Sequence, residues 1–499
     1  MRFLPFFISG LLLSFSAAHA EDITEQDLLG HIEILASDDF GGRMPGTEGE
    51  NKTVNYIATE WKNAGLSPAS KRATWYAPVA MVDRTPLSQE IAFILQGKRA
   101  RAIKVEPDQI LLRGAAAETR LSNMPIVHTG FGSADIDEMR PFVSGKLAFL
   151  FANTPTGSKD FPSYRERKAN IIAAGASAVI AIIKGEARWV RDSKRFHSIN
   201  IARDDKNSHA KLEGIISARA AERILGKAGI DVKKLAVDAE RSEFQPLGVP
   251  VSANLSVQTQ RRTYNSHNVI GKIAGRKPET GALLFMGHWD HFGECEPDST
   301  GDRICNGAVD NASGISLLIE TAKRLAKTSL DRDVYFLATT SEERGLLGAY
   351  AFVADPSFAL NRLVAVFNAD TVALAPAGRL IAVVGRGETD LDADLEKIAK
   401  AEGREIDDTG KADAYLKRQD GYAFLKKGIP SFMITSAFAD QERLDAYLAG
   451  RYHDVSDEAD DGLILGGAAA DANFHVALGR YFGNIATYPA KSAPISSSD

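Results

Sequence analysis

The sequence predicts an α/β fold, with a mixed, largely parallel central sheet flanked by helices, and three observations carry that expectation. Short continuous apolar runs lie at 282–286 (Ala-Leu-Leu-Phe-Met), 334–338 (Val-Tyr-Phe-Leu-Ala), 364–367 (Val-Ala-Val-Phe) and 432–434 (Phe-Met-Ile). Unbroken apolar runs of this length are typical of strands buried on both faces of a parallel sheet. Between the first two, Ile315, Leu318, Ile319, Ala322 and Leu325 recur at helical spacing, which gives the order strand, loop, helix, strand. Finally, 499 residues with 44% hydrophobic and 25% charged content suffice for two or three domains with large cores.

Before the first of these strands, the spacing of Ile23, Leu28, Leu29, Ile32 and Leu35 predicts a helix over 23–37, and a second helix follows over 51–64. The glycine-rich stretch between them, 40–49, lacks the Gly-Lys-Ser/Thr ending of a phosphate-binding loop. Short β-like runs such as Ile91-Ala-Phe-Ile-Leu95 occupy 75–115. Residues 118–250 read as a separate module, with strands at 145–151 and 178–183 and a helix over 168–176. It holds no cluster of catalytic residue types, and His128, His197 and His209 are scattered.

Charge excludes some partners. With 59 basic and 65 acidic residues the formal charge is -6, so no general attraction to nucleic acid or anionic membrane is expected. Met1-Arg2, the apolar stretch from Phe3 to Phe15 and Ser16-Ala17-Ala18-His19-Ala20 form the basic, apolar and small-residue parts of a signal peptide over 1–20. The mature protein is therefore expected to be exported, periplasmic or secreted, with no membrane anchor after cleavage. Two cysteines cannot make a disulfide framework, but in an oxidising compartment Cys295 and Cys305 are expected to clip one loop. Their spacing is not the Cys-x-x-Cys of a thiolate metal site.

The chemistry is legible where polar residues meet the strand ends. In open α/β sheets ligands bind beyond the carboxyl ends of the strands. Three successive strands here end in Gly287-His288-Trp289-Asp290-His291, in Ser341-Glu342-Glu343-Arg344-Gly345 and in Asn368-Ala369-Asp370. A loop carrying Asp310-Asn311-Ala-Ser-Gly314 leads into the helix after the first strand, and Tyr452-His453 comes near the end. Together these supply the nitrogen and oxygen donors that suit zinc.

The set His288-x-Asp290, Asp310-Asn311-x-Ser-Gly314, Glu342-Glu343-x-Gly345, Asp370 and Tyr452-His453 resembles the di-zinc aminopeptidase family that also contains glutamate carboxypeptidase, glutaminyl cyclase and the transferrin receptor. Leu35 to Arg43, Pro45-Gly-Thr47 and Gly65-Leu66 resemble the same family's N-terminal segment, and Gly145-Lys146, Lys168 and Ala174-Gly-Ala176 its inserted protease-associated domain. The resemblance implies a zinc exopeptidase fold made of 21–117 and 251–499, interrupted by a β-rich α+β insertion at 118–250. It implies two zinc ions per chain, one held by His288 and Asp370, the other by Glu343 and His453, with Asp310 bridging.

By the same resemblance, Asp290 would orient His288, Glu342 would be the general base toward a di-zinc-activated water, and Tyr452 would donate to the oxyanion. The implied substrate is a peptide with a free N-terminus. Glu342, Asp290 and Tyr452 are thus the expected catalytic residues, and His288, Asp310, Glu343, Asp370 and His453 the expected metal ligands. His291 reads as a residue behind the ligands or lining the pocket. Where relatives often carry Ser-Asp-His, this chain has Gln419-Asp420-Gly421, so no histidine role transfers there. A dipeptidase, carboxypeptidase or glutaminyl cyclase on the same scaffold, and a binding protein without chemistry, stay open.

Overall fold

The computed structural model describes residues 22–158, 161–205, 209–241 and 243–489, so the segment read as a signal peptide lies outside the described residues. The chain divides into two compact units, Met1–Pro78 with His267–Asp499, and Val79–Ser266.

In the first unit the strands run in the order Glu405–Ile406, Leu380–Val384, Ser431–Thr435, Leu363–Asn368, Ala282–His288, Asp333–Thr339 and the end of Leu247–Ile273. The four from Ser431–Thr435 to Asp333–Thr339 are mutually parallel. An antiparallel strand pairs with each side of that group, so the sheet is mixed and largely parallel, as the apolar runs predict. Each predicted run lies inside one of these strands, and every residue of Ala282–His288 and Asp333–Thr339 is buried.

Alternation along the strands divides the core. Leu283 and Phe285 pack toward the helices Ser313–Leu325 and Gly466–Gly483, whereas Leu284 and Met286 pack toward Leu347–Ala354. Phe336, Phe285 and Phe367 stand in register on neighbouring strands, with ring centroids 5.4 and 5.3 Å apart. This row of rings stiffens the three strands whose ends carry the polar motifs.

The N-terminal helix Glu25–Leu35 is capped by Thr24, whose hydroxyl accepts from the Asp27 N–H while the Asp27 carboxylate accepts from Thr24 N–H. It docks on Ser313–Leu325 through a buried polar network. His31 Nε2 lies 3.0 Å from Glu320 Oε1, Lys323 Nζ donates to the same oxygen at 2.8 Å, and Arg324 Nη1 donates to Glu320 Oε2 at 2.7 Å. Burial raises the Glu320 carboxyl, but the hydrogen bonds from His31 and Lys323 and the charges of Lys323 and Arg324 outweigh it and bring it to about 2.

A carboxyl depressed in the folded state contributes stability that is complete above its unfolded pKa, near 4.3, and is lost as pH falls through the folded value. Glu320→Gln is therefore expected to destabilise the protein by on the order of 3 kcal/mol at neutral pH. The gap between wild type and variant, read from urea midpoints at each pH, should narrow as pH falls from about 5 toward 3. A gap that is constant over that range would show that the pair adds nothing through ionisation.

In the second unit the strands run in the order Leu247–Ile273, Glu118–His128, Leu147–Phe151, Ala178–Ile183, Leu212–Ser217 and Ile110–Gly114, with parallel pairing in the middle. Its bounds differ from the 118–250 read along the chain, beginning at Val79 and ending at Ser266. The reason is non-local pairing. Strand Tyr76–Leu95 pairs with Asn200–Arg203 and Arg101–Ile103, and Ile110–Gly114 pairs with Leu212–Ser217, so the β-like runs before 118 belong to this unit. His128 is buried and its Nδ1 accepts from Gly130 N–H at 2.9 Å, a packing role. Among the described residues, no helix is long and apolar enough to cross a membrane.

Candidate metal centre and active site

Strands Leu363–Asn368, Ala282–His288 and Asp333–Thr339 are neighbours, and parallel pairing brings their carboxyl ends to the same edge. Asp370, His288 and Glu342-Glu343 thereby converge although they lie far apart in the chain. Asp310 arrives from the turn Ala308–Ala312 that enters the helix Ser313–Leu325.

That turn is held by its own side chains. Asn311 Nδ2 donates to the carbonyls of His288 (3.2 Å) and Ala369 (3.0 Å), and its Oδ1 accepts from Gly314 N–H (3.0 Å) and Thr371 N–H (3.2 Å). Glycine at 314 permits this approach, since a Cβ there would fall 2.2 Å from Asn311 Oδ1 and 2.5 Å from the Ala369 carbonyl oxygen. Asp457 accepts from the N–H groups of Val309 and Asp310, each at 3.1 Å, and Tyr447 Oη donates to Asp457 at 2.9 Å.

The five expected ligands lie together. His288 Nε2 stands 3.2 Å from Asp310 Oδ1 and 3.6 Å from Asp370 Oδ1. His453 Nε2 stands 3.3 Å from Asp310 Oδ2 and 3.1 Å from Glu343 Oε2. The two oxygens of Asp310 thus face different partners. His288, Asp310 and Asp370 offer ligand atoms within 4.8 Å of one another, and so do His291, Asp310 and Glu343.

His291 is more central than a reading of strand alternation gives. Its Nδ1 lies 2.7 Å from Glu343 Oε1, on the carboxylate whose other oxygen faces His453. The chain has left the strand after His288, so the alternation that would send residues 290 and 291 to opposite faces no longer applies. Asp290 also differs in detail from expectation. Its main-chain oxygen lies 3.1 Å from His288 Nδ1 and its carboxylate 3.8 Å away, while Oδ1 accepts from the Glu342 N–H at 2.9 Å. Asp290 therefore holds both the histidine and the backbone of the residue expected to act as base.

Tyr452 stacks on the His453 ring with centroids 3.6 Å apart, and its Oη accepts from Arg418 Nη2 at 3.3 Å. Burial, reinforced by Asp310 and Glu343, pushes the Tyr452 phenol far up, so its proton stays available for donation. Burial also pushes the Glu342 carboxyl well above the usual carboxylate range; His288 opposes this, and Glu343, Asp420 and Asp370 add to it. Burial works against Asp310, but hydrogen bonds from His288 and His453 hold it well below that range.

The surroundings fit a bound cation. Asp290 Oδ2 and His291 Nε2 are buried without a hydrogen-bond partner, in a cluster dominated by carboxylates. Positive φ at Ser341 (55°), Thr371 (54°) and His453 (59°) places backbone strain beside Glu342, beside Asp370 and at His453 itself. Cys295 and Cys305 are disulfide-bonded and close the loop between His291 and Asp310, the clip expected from their spacing and compartment.

The fold and this donor set define a metallo-exopeptidase. Residues 268–472 match the model of Peptidase family M28. A protein of Aspergillus oryzae named "probable leucine aminopeptidase 2" is 24% identical over 429 residues, covering 82% of this chain and 73% of that protein. Aminopeptidase YwaD of Bacillus subtilis is 24% identical over 362 residues, 72% of this chain and 63% of that one. Among solved structures, the aminopeptidase from Aneurinibacillus sp. strain AM-1 shares the fold with a TM-score of 0.51 at 18% identity, covering 92% of this chain and 94% of that chain.

Proposed function

We propose that the protein is an exported, zinc-dependent aminopeptidase that removes N-terminal residues from peptides, using two zinc ions and Glu342 as general base. The observation that carries this reading is the division of Asp310, one oxygen toward His288 and the other toward His453, as a bridging carboxylate requires. His288, Asp310 and Asp370 would hold one ion. Glu343, His453 and Asp310 would hold the other, with His291 beside them on Glu343. Such a pair of ions, when bound, lowers the pKa of water and polarises the scissile carbonyl.

The remaining work falls to the chain. Glu342 follows a left-handed Ser341, and its N–H is fixed by Asp290, so its carboxylate is held beside the ligands without being one of them. It takes a proton from the attacking water and returns it to the leaving amine. Tyr452 donates its O–H to the developing oxyanion, its oxygen placed by Arg418 and its ring by His453. The acidic cluster favours a cationic α-amine, and the aminopeptidase names of the relatives support cleavage from the N-terminus. The stretch 118–250 is read as an inserted protease-associated domain on its Gly145-Lys146, Lys168 and Ala174-Gly-Ala176 signature.

The test is hydrolysis of free and N-blocked aminoacyl-p-nitroanilides by the purified protein, with chelator and after zinc is restored. Release from free amines alone, abolished by chelator and recovered with zinc, is the expected outcome. Equal cleavage of N-blocked substrates would rule out an aminopeptidase. No release from a protein that binds zinc would turn the reading to a dipeptidase, carboxypeptidase, glutaminyl cyclase or binding protein.

A further inference from the structure

The Phe40-Gly-Gly-Arg43 segment has no part in the chemistry above, yet it ends in a buried cation held by several main-chain carbonyls. Arg43 is 1% exposed. Its Nε donates to the Trp289 carbonyl at 2.9 Å, Nη1 donates to the carbonyls of Leu35 (2.8 Å) and Asn306, and Nη2 donates to those of Gly307 (2.8 Å) and Asp310 (3.5 Å). Its own carbonyl accepts from His291 N–H at 3.3 Å. One guanidinium thus joins the strand end that carries His288 to the turn that carries Asp310.

The backbone is bent to put it there. Gly41, Gly42 and Arg43 have φ of 55°, 63° and 51°, three successive residues in the left-handed region, the last with a long side chain. Gly42 lies against the loop closed by the disulfide, where a Cβ would fall 2.4 Å from the Gly293 carbonyl oxygen and 2.6 Å from that of Cys305. A buried cation is costly and an apolar side chain would pack more cheaply, so strain and desolvation together need a purpose. The guanidinium meets that purpose on two counts. Its charge interacts favourably with those of Asp310, Asp457, Asp290 and Glu343, and its planar fork can serve several carbonyls that a lysine ammonium cannot reach at once.

We infer that Arg43 is a positioning residue that locks the Asp310 turn against the His288 strand end, so that the ligands of both metal positions are in place before a metal arrives. The inference rests on the two-metal reading of the site. It assigns to the N-terminal segment a part in metal affinity, although no side chain of that segment is a ligand.

The test compares wild type with Arg43→Met, Arg43→Lys and Arg332→Met in the full protein. Arg332 is the control, a fully buried arginine that likewise donates to backbone carbonyls, those of Thr280, Phe482 and Tyr488, away from the ligands. Zinc affinity is measured by competition with a chromophoric chelator, ligand geometry by the visible spectrum of the cobalt-loaded protein, and stability by thermal melting of the metal-free form.

Arg43→Met is expected to weaken zinc binding by roughly 10–100-fold, as for other residues that orient ligands, and to alter the cobalt bands. Arg43→Lys should recover part of the affinity through its charge. Arg332→Met should lower the melting temperature and leave affinity and spectrum unchanged. If both Arg43 variants bind zinc and cobalt as wild type does, or if both fail to fold where Arg332→Met folds, the positioning role is overturned. If wild type itself binds no zinc, it is the two-metal reading that fails.

Discussion

Replacing Asp310 with Asn is expected to weaken both metal positions at once. Its two carboxylate oxygens face different histidines, at 3.2 and 3.3 Å, so removing its charge takes a ligand from each side. The matched control is Asp370→Asn. Asp370 approaches His288 alone among the histidines of the cluster, so its loss should weaken one position and spare the other. Metal content after dialysis, measured by mass spectrometry, reads the difference directly. Wild type is expected to retain two zinc ions per chain, Asp370→Asn one, and Asp310→Asn none. The loss of affinity at Asp310 should exceed the roughly 10–100-fold typical of residues that only orient ligands. Retention of one tightly held ion by Asp310→Asn would show that this carboxylate does not bridge.

The second large effect is expected at Glu342, and it should separate cleanly from the first. Glu342→Gln keeps the size of the side chain and the backbone hydrogen bond to Asp290, but under the proposed mechanism it removes the group that would move the proton. A fall in kcat of about 10²–10⁴-fold is expected, the usual contribution of a general base, with zinc content unchanged and KM little altered. A loss of bound zinc equal to that of Glu343→Gln would make Glu342 a ligand and move the base elsewhere. Because the two glutamates are adjacent in sequence, only paired measurement of metal and rate can tell their roles apart.

Much of the site is legible before folding because each residue type reports its chemistry and each motif sits at a strand end. His288, Glu342-Glu343 and Asp370 follow apolar runs that become neighbouring parallel strands, and Asp310 precedes a run at helical spacing. Parallel strands share a direction, so their carboxyl ends must meet, and this rule turns three distant motifs into one cluster. The disulfide was legible for a similar reason, since a separation of ten residues and the expectation of an oxidising compartment suggest it.

Other features have no local signal. Nothing in Asp457 marks it as the acceptor of the Val309 and Asp310 N–H groups, and nothing around Arg43 reveals that it reaches the carbonyls of residues 289, 306, 307 and 310. The direction of His291 depended on the strand ending at His288, and element ends are the least readable part of a chain. The bounds of the second unit were hidden because strand Tyr76–Leu95 finds its partners more than a hundred residues away, at Asn200–Arg203.

The sequence by itself therefore determined the largely parallel sheet, the donor types and the order in which they meet its edge, because apolar periodicity and ligand chemistry are properties of short segments. Tertiary structure alone decided which oxygen of Asp310 faces which histidine, that His291 joins Glu343, and that Arg43 ties the His288 strand end to the Asp310 turn. Those are relations among residues brought close by burial and hydrogen-bond satisfaction across the whole unit, and no stretch of chain carries them alone.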